Sequence, residues 1–142
     1  MPAQDHNHGV VLRVLTHAGW EIIKEQYSFA VGQAPDDMRR LFIDIAAKSP
    51  VGQVVLIEVK SLSPSPVHEF MMLVGQYLVY QAALDFLGDD TPIYIAISER
   101  DYQTMIEHPL GQQVMKNTLR SPVPFMIYDS EKEEIVKWIP AR

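Results

Sequence analysis

The sequence predicts a mixed α/β (α+β) domain, and three observations carry that assignment. Helical and strand-like segments follow as one helix, three strands, a second helix, a strand, short helices and two final strands. The run Pro92 to Ser98 is continuously apolar, the mark of a central strand covered on both faces. A length of 142 residues, 47% hydrophobic and 21% charged, suits one domain over residues 1–142 with a single sizeable core.

The first helix is expected from about Gln4 to Ala18. Val11, Val14, Leu15 and Ala18 form an apolar stripe, and Gly19 is a natural C-terminal stop. Tyr27, Phe29 and Val31 alternate with smaller or polar neighbours, as on a half-buried strand. Gln33 to Arg39, around Pro35 and the Asp36-Asp37 pair, reads as a polar loop. Strands over Leu41 to Ala46 and Val54 to Lys60 flank the turn sequence Ser49-Pro50-Val51-Gly52. Ser63-Pro64-Ser65-Pro66 breaks the chain before a long helix, roughly Val67 to Leu87, closed by Gly88. This helix is apolar nearly all round, which predicts packing on more than one side. Asp101 to Glu107 and Leu110 to Thr118 are short helical segments. Phe125 to Tyr128 and Glu134 to Ile139 complete the domain as a hairpin about Asp129-Ser130-Glu131-Lys132.

Composition narrows the chemistry. Without cysteine there are no disulfides, thiolate metal sites or thiol nucleophiles, and a cytoplasmic protein is the simplest reading. The longest uncharged apolar stretch, Phe70 to Leu84, is interrupted by Gln76, Gln81 and two tyrosines. It falls short of a membrane span, and no signal-peptide pattern opens the chain. Neither a phosphate-cradling glycine loop nor a Gly-x-Ser-x-Gly elbow is present. The net charge of −6 argues against broad, sequence-independent DNA binding, because phosphate affinity normally comes from a lysine- and arginine-rich face.

Against that background one scattered set of polar residues stands out: Asp44, Glu58-Val59-Lys60, Gln76 and Tyr80. Asp…Glu-x-Lys is the sequence shape of a metal-dependent nuclease centre. Two carboxylates hold a divalent cation over a phosphate, and the lysine helps activate water and offset developing negative charge. On a strand Glu58 and Lys60 point to one side, above Val54 and Leu56, while Val55, Ile57 and Val59 point to the other. A hairpin about Val51 sets Asp44 opposite Glu58, on one face and with roughly 5 Å between the two Cβ atoms. A register shift of one residue would send Asp44 to the other face. The competing readings are that Glu58 and Lys60 are ordinary solvent-facing charges at a strand end, or that Lys60 only neutralises the two carboxylates in a buried ion pair. Gln76 and Tyr80, four apart, share a helix face, as do Asp5 and His8, three apart on the first helix. These four are auxiliary candidates, read against a buried Gln–Tyr hydrogen bond in one case and an ordinary helix-start charge in the other.

The resemblance then becomes specific. Met1-Pro2-Ala3-Gln4-Asp5 with His8 and Val11, Gly19-Trp20, Phe42-Ile43-Asp44-Ile45, Ile57-Glu58-Val59-Lys60-Ser61 and Gly75-Gln76-Tyr77 resemble the fdxN element excision controlling factor family, the XisH-type proteins of cyanobacteria. Pro109-Leu110-Gly111-Gln112 and Glu134-Ile135-Val136-Lys137-Trp138-Ile139-Pro140 extend the resemblance over essentially the whole chain. It implies a restriction-endonuclease-like PD-(D/E)xK core, a central mixed β-sheet flanked by helices. Asp44, Glu58 and Lys60 become the catalytic motif, with Asp44 and Glu58 binding Mg²⁺ or Mn²⁺ and Gln76 and Tyr80 as its auxiliary pair. It also implies a role in excising a DNA element during heterocyst development, beside a recombinase and a small XisI-type partner protein. Two departures are expected to alter the surroundings of the centre: the acidic Gln33–Arg39 loop, and Lys48 where an acidic residue is expected.

Two functions follow from the sequence. One is a Mg²⁺- or Mn²⁺-dependent DNA endonuclease, whose net negative charge is offset by a local strip (Lys60, Arg39, Arg40, Lys116) or by a basic partner. A homodimer would suit cutting both strands. The other is a catalytically silent nuclease-fold regulatory module, acting through a partner protein on the long apolar helix or on the exposed-looking Tyr102–Leu110 region.

Overall fold

A computed structural model of the chain describes residues 7–117 and 122–142. Its frame is one six-stranded sheet in the order β1-β2-β3-β4-β5-β6. The strands are β1 (Glu21–Val31), β2 (Arg39–Lys48), β3 (Val54–Val59), β4 (Ile93–Ser98), β5 (Phe125–Asp129) and β6 (Glu134–Ile139). β1, β2 and β3 form an antiparallel meander, β3, β4 and β5 run parallel, and β6 returns antiparallel to β5. The mixed α/β class is therefore present, and the pairing explains the composition of its middle. Parallel neighbours need crossovers long enough to carry helices; here both crossovers cover one face, and the helix before β1 covers the other. β3 and β4 accordingly read as largely apolar runs with nearly every residue buried, Glu58 being the charged exception.

Helix α1 (His8–His17) covers one face, packing Val11, Val14 and Leu15 with Ile45, Val55, Ile57, Tyr94 and Met126. It ends as its sequence dictates. Gly19 takes φ of 85°, Gly19 N donates to Thr16 O and Trp20 N to Leu15 O, closing the orphan carbonyls of the last turn. Asn7 stands at the helix N-cap, whereas the expected start at Gln4, with Asp5 and His6, lies outside the described residues. Helix α2 (Pro66–Phe86) connects β3 to β4 across the opposite face, setting Phe70, Leu73, Tyr77 and Leu84 against Leu56, Ile93, Ile95 and Ile97.

Several expectations need correction. β1 and β2 extend beyond their predicted limits, because Glu21, Lys24, Arg39 and Arg40 are exposed on strands near the sheet edge and hide the apolar alternation. α2 packs on one side only. Its other face leaves Met71, Val79 and Phe86 exposed, since apolarity around a helix reports composition and not what the chain places there. After β4 the chain makes helix α3 (Glu99–Asp101), a π-helical turn Tyr102–Ile106 and helix α4 (Pro109–Asn117). Met105 and Ile106 are buried in that turn, so the Tyr102–Leu110 region is only partly a surface.

Gly111 fixes how α4 meets the π turn. A Cβ there would stand 2.2 Å from Met105 O and 2.6 Å from Ile106 O, and neighbouring Gln112 donates its amide to Ile106 O at 2.7 Å. Backbone cannot yield as a flexible side chain can. Gly111→Ala is expected to lower stability by about 1–3 kcal/mol in urea unfolding, the range of an overpacked core.

Candidate active site

The site begins where the β2–β3 ladder ends. Ile45 pairs with Ile57 and Lys48 with Val54, the register the hairpin sequence predicts, with Asp44 and Glu58 next in line. Here the carboxylates replace backbone carbonyls as acceptors. Asp44 N donates to Glu58 Oε1 at 3.1 Å, and Val59 N donates to Asp44 Oδ2 at 2.8 Å. Each carboxylate thereby satisfies an amide that the ladder would leave unpaired, in a charge-assisted hydrogen bond.

Strand alternation breaks at Asp44. Leu41 and Ile43 pack with the α2-side cluster, yet Ile45 and Ala47 belong to the α1 side. Opposite the break on β1, Gln26 adopts φ of 53°, and its Nε2 lies 3.5 Å from Asp44 Oδ1. Glu58, Val59 and the residues before them keep the faces that alternation predicts. Val55, Ile57 and Val59 join the α1-side core, while Leu56 and Glu58 face α2.

Glu58 is 7% exposed, and Tyr80 on α2 donates its hydroxyl to Glu58 Oε2 at 3.3 Å. Burial, then repulsion from the Asp44 carboxylate, pushes the Glu58 carboxyl up from 4.5 to about 8. At neutral pH Glu58 thus keeps its proton beside Asp44. Burial and the Glu58 charge likewise raise the Tyr80 hydroxyl above its ordinary value, so it remains a donor.

Lys60 is mostly covered, and its Nζ lies 3.4 Å from Glu69 Oε2 on α2. Glu69, Gln76 and Tyr80 are seven and four residues apart, hence on one flank of that helix. Gln76 sits between the two helix residues that touch β3 and its end. Its Oε1 is buried with no hydrogen-bond partner among the described residues.

The structure thus brings together Asp44, Glu58 and Tyr80, with Lys60 and Gln76 along the same helix flank. His8, buried on α1, instead contacts Glu25 Oε1 through Nε2 at 2.9 Å. Asp5 lies outside the described residues. Lys48 is exposed at the far end of β2, roughly 13 Å along the strand from Asp44, and does not set the charge at the centre. Glu69 and Gln26 are contacts the sequence reading missed. The heptad-like spacing of Glu69 from Gln76 was a usable signal, whereas a bulge between Ile22 and Lys24 conceals the β1 register that places Gln26.

The raised Glu58 carboxyl has a consequence for stability. The unfolded chain releases this proton near pH 4.5, while the folded chain holds it to about 8. The contribution is full below 4.5 and is lost as pH rises through 8. In chelator, wild type should lose about 2 kcal/mol between pH 6 and 8.5 in urea unfolding, and Glu58→Gln should remove most of that slope.

Comparison with known proteins fits the same residues into a family. The family model described as XisH protein matches residues 1–136. The crystal structure of an fdxN element excision controlling factor protein from Anabaena variabilis is similar at 30% identity, with 96% of this chain and 99% of that chain covered and a TM-score of 0.80. An XisH family protein from Nostoc punctiforme is similar at 29% identity, covering 94% and 98%, with a TM-score of 0.79. No curated protein sequence matches the chain. With nearly the whole length matched, the chain belongs to the XisH family.

Proposed function

We propose that this XisH-family protein is a Mg²⁺- or Mn²⁺-dependent DNA endonuclease with a restriction-endonuclease-like PD-(D/E)xK core, acting in the excision of a DNA element. The observation that carries the reading is the Asp44–Glu58 pair, two carboxyls held in contact at the mouth of a hairpin although one is buried and raised toward neutrality. Similarity to an fdxN element excision controlling factor supports the cellular setting.

The donor set fits a hard cation. Mg²⁺ takes one or two carboxylates and keeps several waters, which two carboxyls in contact can offer; among the described residues no third His, Asp or Glu joins them. Asp44 and Glu58 would hold it, and the buried, unpartnered Gln76 Oε1 offers a further oxygen to a bound water. When bound, the cation supplies Lewis-acid activation of a phosphate oxygen and of water. Glu58 would release its proton to solvent in order to hold the cation, with its carboxylate oriented by the Tyr80 hydroxyl. Lys60, exchanging Glu69 for the substrate phosphate, offsets the negative charge that develops on the scissile group. Exposed Arg39 and Arg40 on β2 and Lys116 on α4 supply positive charge for DNA, and an XisI-type partner supplies the remainder against a net charge of −6.

A second reading, a silent regulatory module, is favoured by one observation: Lys60 is already paired with Glu69 and both carboxylates already accept backbone amides. Two measurements separate the readings. Mn²⁺ binding by calorimetry should strengthen about tenfold per pH unit below pH 8, as one proton leaves for each ion bound. Single-stranded, duplex and branched DNA should be cut in Mn²⁺ by wild type, and Glu58→Gln should lower the rate by roughly a hundredfold or more. Absence of both Mn²⁺ binding and cleavage would sink the nuclease. Binding without cleavage of any substrate would favour the regulatory module.

A further inference from the structure

Helix α2 has a second face that this chain does not use. Val67, Met71, Met72, Leu78, Val79 and Phe86 are 40–61% exposed and fall within one arc of the helix, opposite the side packed on the sheet. They present on the order of 600 Å² of apolar surface, at the top of what a monomer shows in one patch. Gly75 lies in the middle of the arc, and a Cβ added there would meet nothing within 4 Å. A glycine inside a 21-residue helix costs stability and here serves no packing within the chain.

We propose that this face is occupied by α2 of a second copy of the chain, the two helices running antiparallel about a two-fold axis beside Gly75 and Leu78. The face is complementary to itself in that arrangement. Gly75 falls level with the partner helix's Leu78 position and Met71 with the Ala82 position, so near the axis large side chains meet small ones, while Phe86 falls level with the apolar Val67 position. The ionisable residues on the arc, His68 near one end and Asp85 near the other, fall level with each other across the pair. Opposite polarity therefore meets at both ends of the contact, and like charges meet nowhere along it. Two such patches, covered end to end, bury about 1,200 Å², where specific interfaces begin. This inference does not rest on the nuclease reading, since Asp44, Glu58 and Lys60 take no part in it.

Sedimentation equilibrium from about 1 to 100 µM tests it. Wild type should be a dimer, and Leu78→Glu, which sets two carboxylates beside the axis, should weaken association by roughly a hundredfold. Gly75→Arg should act alike, and its open surroundings keep the test alive should Leu78→Glu fail to fold. Because the chain has no cysteine, Gly75→Cys should oxidise to a covalent dimer while a control at exposed Ile23→Cys forms no covalent cross-link within the dimer. A wild type monomeric at 100 µM overturns the proposal, whether the face then binds a different protein or vesicles. So does a dimer indifferent to Leu78→Glu and Gly75→Arg. Loss of cleavage with an intact dimer would count against the nuclease alone.

Discussion

The register of the β2–β3 hairpin is the constraint on which the site depends. Side chains on a strand alternate with period two, so a slip of one residue would carry Asp44 away from Glu58 and turn Ile57 toward the wrong helix. The same pairing that buries Val55 and Ile57 beneath α1 therefore sets the two carboxyls against each other. Core packing enforces the geometry, and the carboxyls complete the ladder by accepting the amides of Asp44 and Val59. Site and sheet are one structure at this point, which is why neither carboxyl can be judged by its exposure alone.

Burying like charges together is costly, and a proton held on Glu58 reduces that cost. Lys60, the obvious neutraliser by sequence, instead reaches Glu69 on α2. That contact and the Tyr80–Glu58 hydrogen bond tie both ends of one helix flank to β3 and the residue after it. Any shift of α2 relative to the sheet would act on the lysine and the glutamate together.

Much of this was legible in the sequence. Ser49-Pro50-Val51-Gly52 between two apolar runs placed the hairpin, and alternation alone assigned Val55, Ile57 and Val59 to one side and Glu58 to the other. Gly19 and Gly88 marked helix ends, and both take positive φ. What was not legible depends on contacts between distant segments. The face switch at Asp44 lies opposite Gln26, whose positive φ of 53° nothing in the charged β1 sequence marks. The coverage of α2 could not be read from its composition, because an apolar helix looks the same whether its outer side is packed or bare. His8 shares the first helix with the core residues, but its partner Glu25 follows from how that helix lies on β1.

The outward face of α2 also determines how the protein meets oxidants. Thiol chemistry is closed to a chain without cysteine, so its soft sulfur is all thioether, and two adjacent examples, Met71 and Met72, stand on that face. Conversion to sulfoxides would put polar, chiral groups into an apolar arc without touching the Asp44–Glu58 pair. Met71 is the most exposed methionine among the described residues, so oxidative damage would fall first on this outward face.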